Sequence, residues 1–441
     1  MPDRNPSPID APEGRCLLSC GSRLLLVAFA CHPDNSMEER NGWNRALQAA
    51  QDFDVTVVCS PYTSVNDLQE RTPPYLAARL NFVTVSAGAF GDFCLTRELL
   101  FYFGYRIWHS QVFEFARKLH AESPFSITHM VSVCGYREPG YVWRLDCPFV
   151  WGPIGGTSNF PLKFLRFVDP LGGLYEIARN SVNLAQLHFG SRIRRAGSQA
   201  AAVFAANRST QRDLEHCTGL RLQLELETGL DYEPQNAKSL TSTDRPLRIL
   251  WVGRLRPWKG LPLLLHALAK LPESQKCALR VVGDGGCKAT WIRLAKRLRI
   301  DDQITWFRKP PYRDSLHHYE WADVFAFTSL RDTSGTGLLE SLAAGVPIIG
   351  LDHQGAADMI TEKCGIRIPV SNPEQSIAAI AQALIDVSSD RQRLHALSQG
   401  ASQQAYAYTW SQREPLVRRC YAASTMATAA PSTQTEPALV Q

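Results

Sequence analysis

Short apolar runs rich in β-branched residues alternate with longer stretches of helical periodicity along most of the chain. The runs at 24–30, 55–59 and 82–86 read as buried strands, each followed by a helical pattern. A second series opens after the polar stretch 232–246. Its strands are expected at 247–252, 279–282, 304–307, 324–327 and 346–350, with helices at 261–271, 289–299 and 312–320 between them. Strand–helix alternation of this kind predicts an α/β fold with parallel sheets. Two such series predict two doubly wound, Rossmann-like domains facing across a cleft. In such sheets ligands sit beyond the carboxyl ends of the strands.

A length of 441 residues suits two or three domains. The pattern divides it into a disordered segment 1–22, an acceptor-side domain 23–232 and a linker 233–246. A donor domain follows at 247–400, then a helix at 401–422 that crosses back to the first domain, and a disordered tail at 423–441. Apolar residues make up 45% and charged residues 20%, an ordinary globular composition. The net charge of +5 is mildly basic. By itself it does not point to nucleic acid, and it suits a cleft for a phosphorylated ligand or loose attraction to an anionic membrane. The twelve cysteines form no C-x-x-C pair, so reduced thiols and no structural zinc are expected. The apolar run 24–30 is too short to span a membrane.

Two stretches carry chemistry. In "ILWVGRLRPWKGL" a strand ends at Val252 and a helix begins past Gly260. Gly253, Arg254 and Lys259 therefore fall between a strand end and a helix start, where free N–H groups and the helix dipole favour anions. Arginine can grip a phosphate with two hydrogen bonds, and lysine adds a point charge. In "SLRDTSGTGLLESLAAGVPII" the same logic recurs at another strand. Gly335, Thr336 and Gly337 open the backbone to a ligand at the start of a helix expected at 338–344. Asp332 and Glu340 add acceptors for sugar hydroxyls, with Glu340 placed in the first helical turn. A cationic pair and a glycine-rich helix start on one sheet suit pyrophosphate; acids beside them suit hydroxyls. Together they describe a nucleotide-sugar.

These stretches, with "AAGVPIIGLD", resemble the carboxyl-terminal domain of family 4 retaining glycosyltransferases, which have the two-domain GT-B fold. The family spacing Glu, seven residues, Glu reads here Asp332, seven residues, Glu340. The resemblance implies that Arg254 and Lys259 bind the donor diphosphate, that Glu340 holds the ribose and that Asp332 approaches the donor sugar. It implies metal-independent transfer without a cofactor, from a nucleotide-sugar donor to a sugar or lipid-linked acceptor, in a cytoplasmic enzyme of surface polysaccharide assembly. In the first half, "HPDNSMEERNGWNRALQAA", "YREPGYVWRLDCPFVWGPIGGTSNFP" and "SRIRRAGSQAAAVFAANRST" resemble a bacterial branch of the same family. His129 stands where members carry the first of two histidines, and Val131 stands where the second is usual. His129 and Arg137 are the candidate cleft residues of this domain. Asp332 in place of the usual Glu shortens the side chain by about 1.5 Å. A nucleotide-sugar epimerase of the same fold and a non-catalytic nucleotide-sugar binder remain open alternatives. The basic, apolar segment 160–196 suggests weak peripheral contact with the inner membrane face.

Overall fold

The computed structural model describes residues 21–168, 170–238, 245–275, 277–308 and 312–429. The first sheet has seven strands: β1 (Arg23–Ala28), β2 (Asp54–Cys59), β3 (Leu80–Thr84), β4 (Ile127–Ser132), β5 (Phe149–Ile154), β6 (Ala200–Ala205) and β7 (Gln223–Leu224). The second has six: β8 (Leu247–Val252), β9 (Cys277–Val282), β10 (Ile304–Phe307), β11 (Val324–Phe327), β12 (Ile348–Leu351) and β13 (Gly365–Ile368). Their orders are β3-β2-β1-β4-β5-β6-β7 and β10-β9-β8-β11-β12-β13. Every pairing between these strands is parallel. The order reverses beside β1 in one sheet and beside β8 in the other, which opens a crevice at each switch point.

Near-continuous apolar strands are what a sheet covered on both faces requires. In β1, Leu24 to Ala28 are fully buried, and in β11 all four residues are buried. Each sheet has apolar clusters on both of its faces. One crosses between domains: Phe160 and Phe164 join the core built around Ile249 of β8 and Leu279 of β9.

Several expected boundaries move. The helix placed at 338–344 is Thr336–Ala343, two residues earlier in its start, with Gly335 as its N-cap. Glu340 consequently lies in the second turn and does not cap the helix. The helix placed at 401–422 is two helices, Arg391–Tyr406 and Trp410–Ala429. The second runs into the stretch 423–429, which the sequence pattern assigns to a disordered tail. Residues 1–20, 239–244 and 430–441 of the expected ends and linker lie outside the described residues. The described start of that linker is fastened to the second domain. Gln235 donates its N–H to the Ala343 carbonyl at 2.7 Å, and Lys238 Nζ donates to the carbonyls of Tyr319, Glu320 and Ala322. Those carbonyls end the helix Tyr312–Trp321, so the ammonium satisfies acceptors that have no partner within the helix.

Candidate functional site

The loop after β8 turns at Gly260, whose φ is 65° and where a Cβ would lie 2.1 Å from the Thr328 carbonyl oxygen. Only glycine fits there. This contact presses the Lys259 loop onto the loop after β11, and Thr328 Oγ1 donates to the Lys259 carbonyl at 3.0 Å. Lys259 Nζ forms a direct ion pair with Asp332. The two residues are thus brought together from the ends of different strands, and both side chains are mostly buried.

The Asp332 loop is buttressed from β12. Its backbone N–H donates to Gln354 Oε1 at 2.5 Å, and its Oδ1 accepts from the Thr333 N–H at 3.2 Å. His353 Nε2 donates to the Ser329 carbonyl at 2.9 Å, and burial keeps the ring's pKa low. Gly335, with φ of 74°, begins the helix that carries Thr336, Gly337 and the buried Glu340. Gly253 donates its N–H to the Val282 carbonyl at 3.0 Å, which ties the β8 loop to the "VVGDGG" turn after β9. Arg254 is exposed, across from Glu38 on the helix Met37–Ala49 of the first domain. Desolvation raises the Glu38 carboxyl above the usual carboxylate range, and Arg254 opposes that rise. Lys259, Asp332 and the helix start at Gly335 therefore lie together beyond the ends of β8 and β11, with Arg254 on the first of these loops.

The first domain meets this loop closely. Asn207 Nδ2 donates to the Thr333 carbonyl at 2.8 Å, and a Cβ on Gly155 would lie 2.3 Å from Thr333 Cγ2. Arg331 pairs with the buried Glu176 at 2.9 Å and lies over the Trp258 ring at 4.8 Å. Arg137 does reach the carboxyl end of β4. Its guanidinium donates to Gln186 Oε1 at 2.6 Å and to Asn183 Oδ1, and it lies 4.7 Å over the Tyr136 ring.

His129 is not a cleft residue. It is fully buried, with Nε2 2.8 Å from the Gly152 carbonyl and Nδ1 2.5 Å from the Tyr421 hydroxyl. A carbonyl only accepts, so Nε2 carries the proton and Nδ1 accepts from Tyr421. Burial pushes its pKa down to about 3, which keeps the ring neutral. Both nitrogens are committed inside the protein, which corrects its assignment as a catalytic candidate. The D-x-D at 52–54 also has a structural use: Asp52 takes both ends of the Arg418 guanidinium at 2.6 and 2.7 Å. Part of the segment 160–196 is likewise internal, because Phe160 and Phe164 are buried against the second domain.

The sequence reading missed Glu227. It is 2% exposed, its Oε2 has no hydrogen-bond partner and it lies beside Ser334 of the donor loop. Burial pushes its pKa up to about 8; Glu38 and Asp332 add to the rise, while Ser334 and Arg413 oppose it. Nothing in "LELETGLD" distinguishes this acid from its neighbours, because burial and the approach of two distant acids are tertiary facts. Among the described residues no group of His, Cys, Asp or Glu is arranged to hold a metal ion.

Two parallel α/β domains of seven and six strands have the GT-B architecture. Residues 233–404 match the family model described as "Glycosyl transferases group 1". The chain is 26% identical over 211 residues to a D-inositol 3-phosphate glycosyltransferase of Corynebacterium efficiens, covering 44% of this chain and 49% of that one. It is 25% identical over 169 residues to the amylovoran biosynthesis glycosyltransferase AmsK of Erwinia amylovora, covering 37% and 42%. The matched region thus spans about half the length of these curated relatives or less. The fold resembles that of Anabaena Alr3699/HepE in complex with UDP and glucose, with a TM-score of 0.56, 15% identity, and coverage of 91% of this chain and 100% of that one.

Proposed function

We propose that this protein is a retaining glycosyltransferase that moves a sugar from a nucleotide-diphosphate-sugar to a sugar or lipid-linked acceptor in surface polysaccharide or glycoconjugate biosynthesis. The observation that carries the reading is the Lys259–Asp332 pair, set between the β8 and β11 loops at the glycine-rich start of the helix Thr336–Ala343. A diphosphate entering the crevice meets Lys259, Arg254 and the N–H groups of Gly335, Thr336 and Gly337. These donors stabilise the charge that builds on the departing diphosphate, the effect that usually contributes most to such a reaction. Asp332, released from Lys259 by the incoming phosphate, accepts from hydroxyls of the donor sugar, and Glu340 serves the ribose. The acceptor attacks on the face from which the diphosphate leaves. Arg137 lines the acceptor side. Closure of the two domains excludes water and limits hydrolysis.

The names of the curated relatives support transfer over the epimerase alternative, since both are called glycosyltransferases. A nucleotide-sugar donor is in keeping with the UDP and glucose complex of a protein that shares the fold. A cytoplasmic site of action, with peripheral contact at the inner membrane face, belongs to the same reading.

The test is Lys259→Ala assayed against a panel of nucleotide-sugars with product analysis. A loss of about 100-fold or more in kcat/KM, with the fold intact, is expected from the removal of one such donor. Unchanged turnover removes Lys259 from the phosphate site. Donor binding without any product, in the unaltered protein, rejects the transferase in favour of a binder.

A further inference from the structure

The helix Pro170–Phe189 is inside out. Its buried face carries Glu176, Asn180 and Asn183 together with Gly173 and Leu187. Each of the three polar side chains is used. Glu176 pairs with Arg331 of the donor loop. Asn180 bonds both the N–H and the carbonyl of Phe160, at 3.0 and 2.8 Å. Asn183 accepts from Arg137 and Tyr136 and donates to the Thr157 carbonyl. The face turned to solvent is apolar. Leu171, Leu174, Ala178, Val182, Ala185 and Phe189 recur every three or four residues and are all exposed, Leu171 at 80% and Phe189 at 81%. Tyr175, Ile177 and Leu184 widen the stripe, and the only exposed polar residues of the helix are Ser181 and His188. A helix of a water-soluble surface has the opposite arrangement.

The charged residues of this segment are mostly basic. Residues 170–199 contain four arginines, at 179, 192, 194 and 195, and one acid, the buried Glu176. Arg194 and Arg195 are exposed, as is Lys163 at the other end, where the exposed Arg166 is ion-paired with Glu374. The first domain carries a second apolar cluster. Phe90, Phe93, Leu99, Leu100, Tyr102 and Phe103 are all at least two-fifths exposed. Glu138 binds Arg106 at 3.0 Å and Arg192 at 2.5 Å, which ties the helix Phe101–Glu122 to the helix Ser191–Gln199 that follows the striped helix in the chain.

From this we infer that the outer face of the helix Pro170–Phe189 docks onto an anionic lipid surface, with its apolar stripe in the bilayer interface and its basic rim on the headgroups. An apolar helix face flanked by arginines is the form that interfacial membrane helices take, and each basic residue near an anionic leaflet adds attraction. A protein partner of this face would need acids opposite the rim; a bilayer of anionic lipid supplies both the charge and the apolar phase. The inference rests on the proposed acceptor side of the cleft and deepens it. The inner face of the same helix holds Arg137 and Arg331, so the docked helix would stand between the lipid and the crevice and present a lipid-linked acceptor to it.

The experiment needs neither donor nor acceptor, so its failure is separable from failure of the transferase reading. Vesicles of phosphatidylcholine with and without phosphatidylglycerol are floated with the full chain at low and high salt. Binding is expected to the anionic vesicles at low salt and release at high salt, because exposed charges are screened. The triple variant Leu174→Ser, Val182→Ser, Phe189→Ser changes only exposed positions, so it should keep its melting temperature while the bound fraction falls about tenfold or more. Arg194→Glu with Arg195→Glu is a second variant, expected to lose the preference for anionic vesicles. The inference is overturned if the unaltered protein does not float at low salt, or if the triple variant floats as well as its parent. A dimer in light scattering that the triple variant abolishes would assign the face to a second copy of the chain and overturn it equally.

Discussion

Glu227 holds a proton that a solvated glutamate would release. Its carboxyl is buried between Glu38 and Asp332, and its pKa stands near 8 where the ordinary value is 4.5. The consequence for stability has a definite sign. Between those two values the unfolded chain has lost the proton and the folded chain keeps it, so raising the pH favours unfolding. The stabilisation is full below the ordinary value and is lost as pH rises toward 8. Glu227→Gln imitates the neutral acid and has nothing to titrate. Thermal unfolding from pH 5 to 8 should therefore show a declining melting temperature in the parent that is less steep in the variant. The difference should be on the order of a few kcal/mol in stability at the extremes. Parallel slopes would mean that Glu227 is charged in the folded protein.

The helix Trp410–Ala429 is the element that returns the end of the chain to its beginning. It packs on the helix Met37–Ala49 and on β4. Arg418 grips Asp52, Arg413 joins Arg45 at the buried Glu225, and Tyr421 reaches His129. Removing one partner of a buried bond leaves the other unsatisfied. Tyr421→Phe is accordingly expected to cost about 1–3 kcal/mol in denaturant unfolding, while kcat/KM per folded molecule stays unchanged. A fall in kcat/KM of the folded variant would restore a catalytic part for His129. The helix Thr336–Ala343 serves the opposite purpose. Its start at Gly335 has no side-chain cap, the form an anion site at a helix start requires.

Across the whole molecule, the crevice is held by polar bonds between the domains and not by a broad apolar interface alone. Arg331 and Glu176 are the most buried of these, at 17% and 2% side-chain exposure. Arg331→Ala strands the Glu176 carboxylate and is expected to destabilise the protein by about 3 kcal/mol, measured by urea unfolding. Combining Arg331→Met with Glu176→Gln removes the stranded charge and should recover much of that loss. Additive costs from the two changes would show that the pair is not coupled. Because the inverted helix Pro170–Phe189 carries Glu176, this bond also links the apolar outer surface to the loop after β11. No helix among the described residues is long and apolar enough to cross a membrane.

Local pattern was enough for the two parallel sheets. The bounds of β8, β10 and β11 read directly from the sequence, because each is a short, mostly apolar run ended by polar or turn residues; of the three only β11 is buried throughout. The Lys259 and Asp332 loops were legible for a related reason. In a parallel sheet every strand end opens on the same side, so residues just past two strands must be near each other. His129 was misplaced because a strand-end histidine looks the same in sequence whether it faces a cleft or a returning helix. The choice was made by Tyr421, 292 residues away. The proton on Glu227 was hidden for the same reason, since the acids that raise its pKa come from distant parts of the chain. The apolar and polar periods of the helix Pro170–Phe189 are both present in its sequence, but they do not say which face is inward. Ordinary burial rules would have turned Leu171 and Phe189 in. What turns them out is tertiary: Arg331, Arg137 and the Phe160 backbone offer the polar face partners that water would otherwise supply, and the apolar face is left outward.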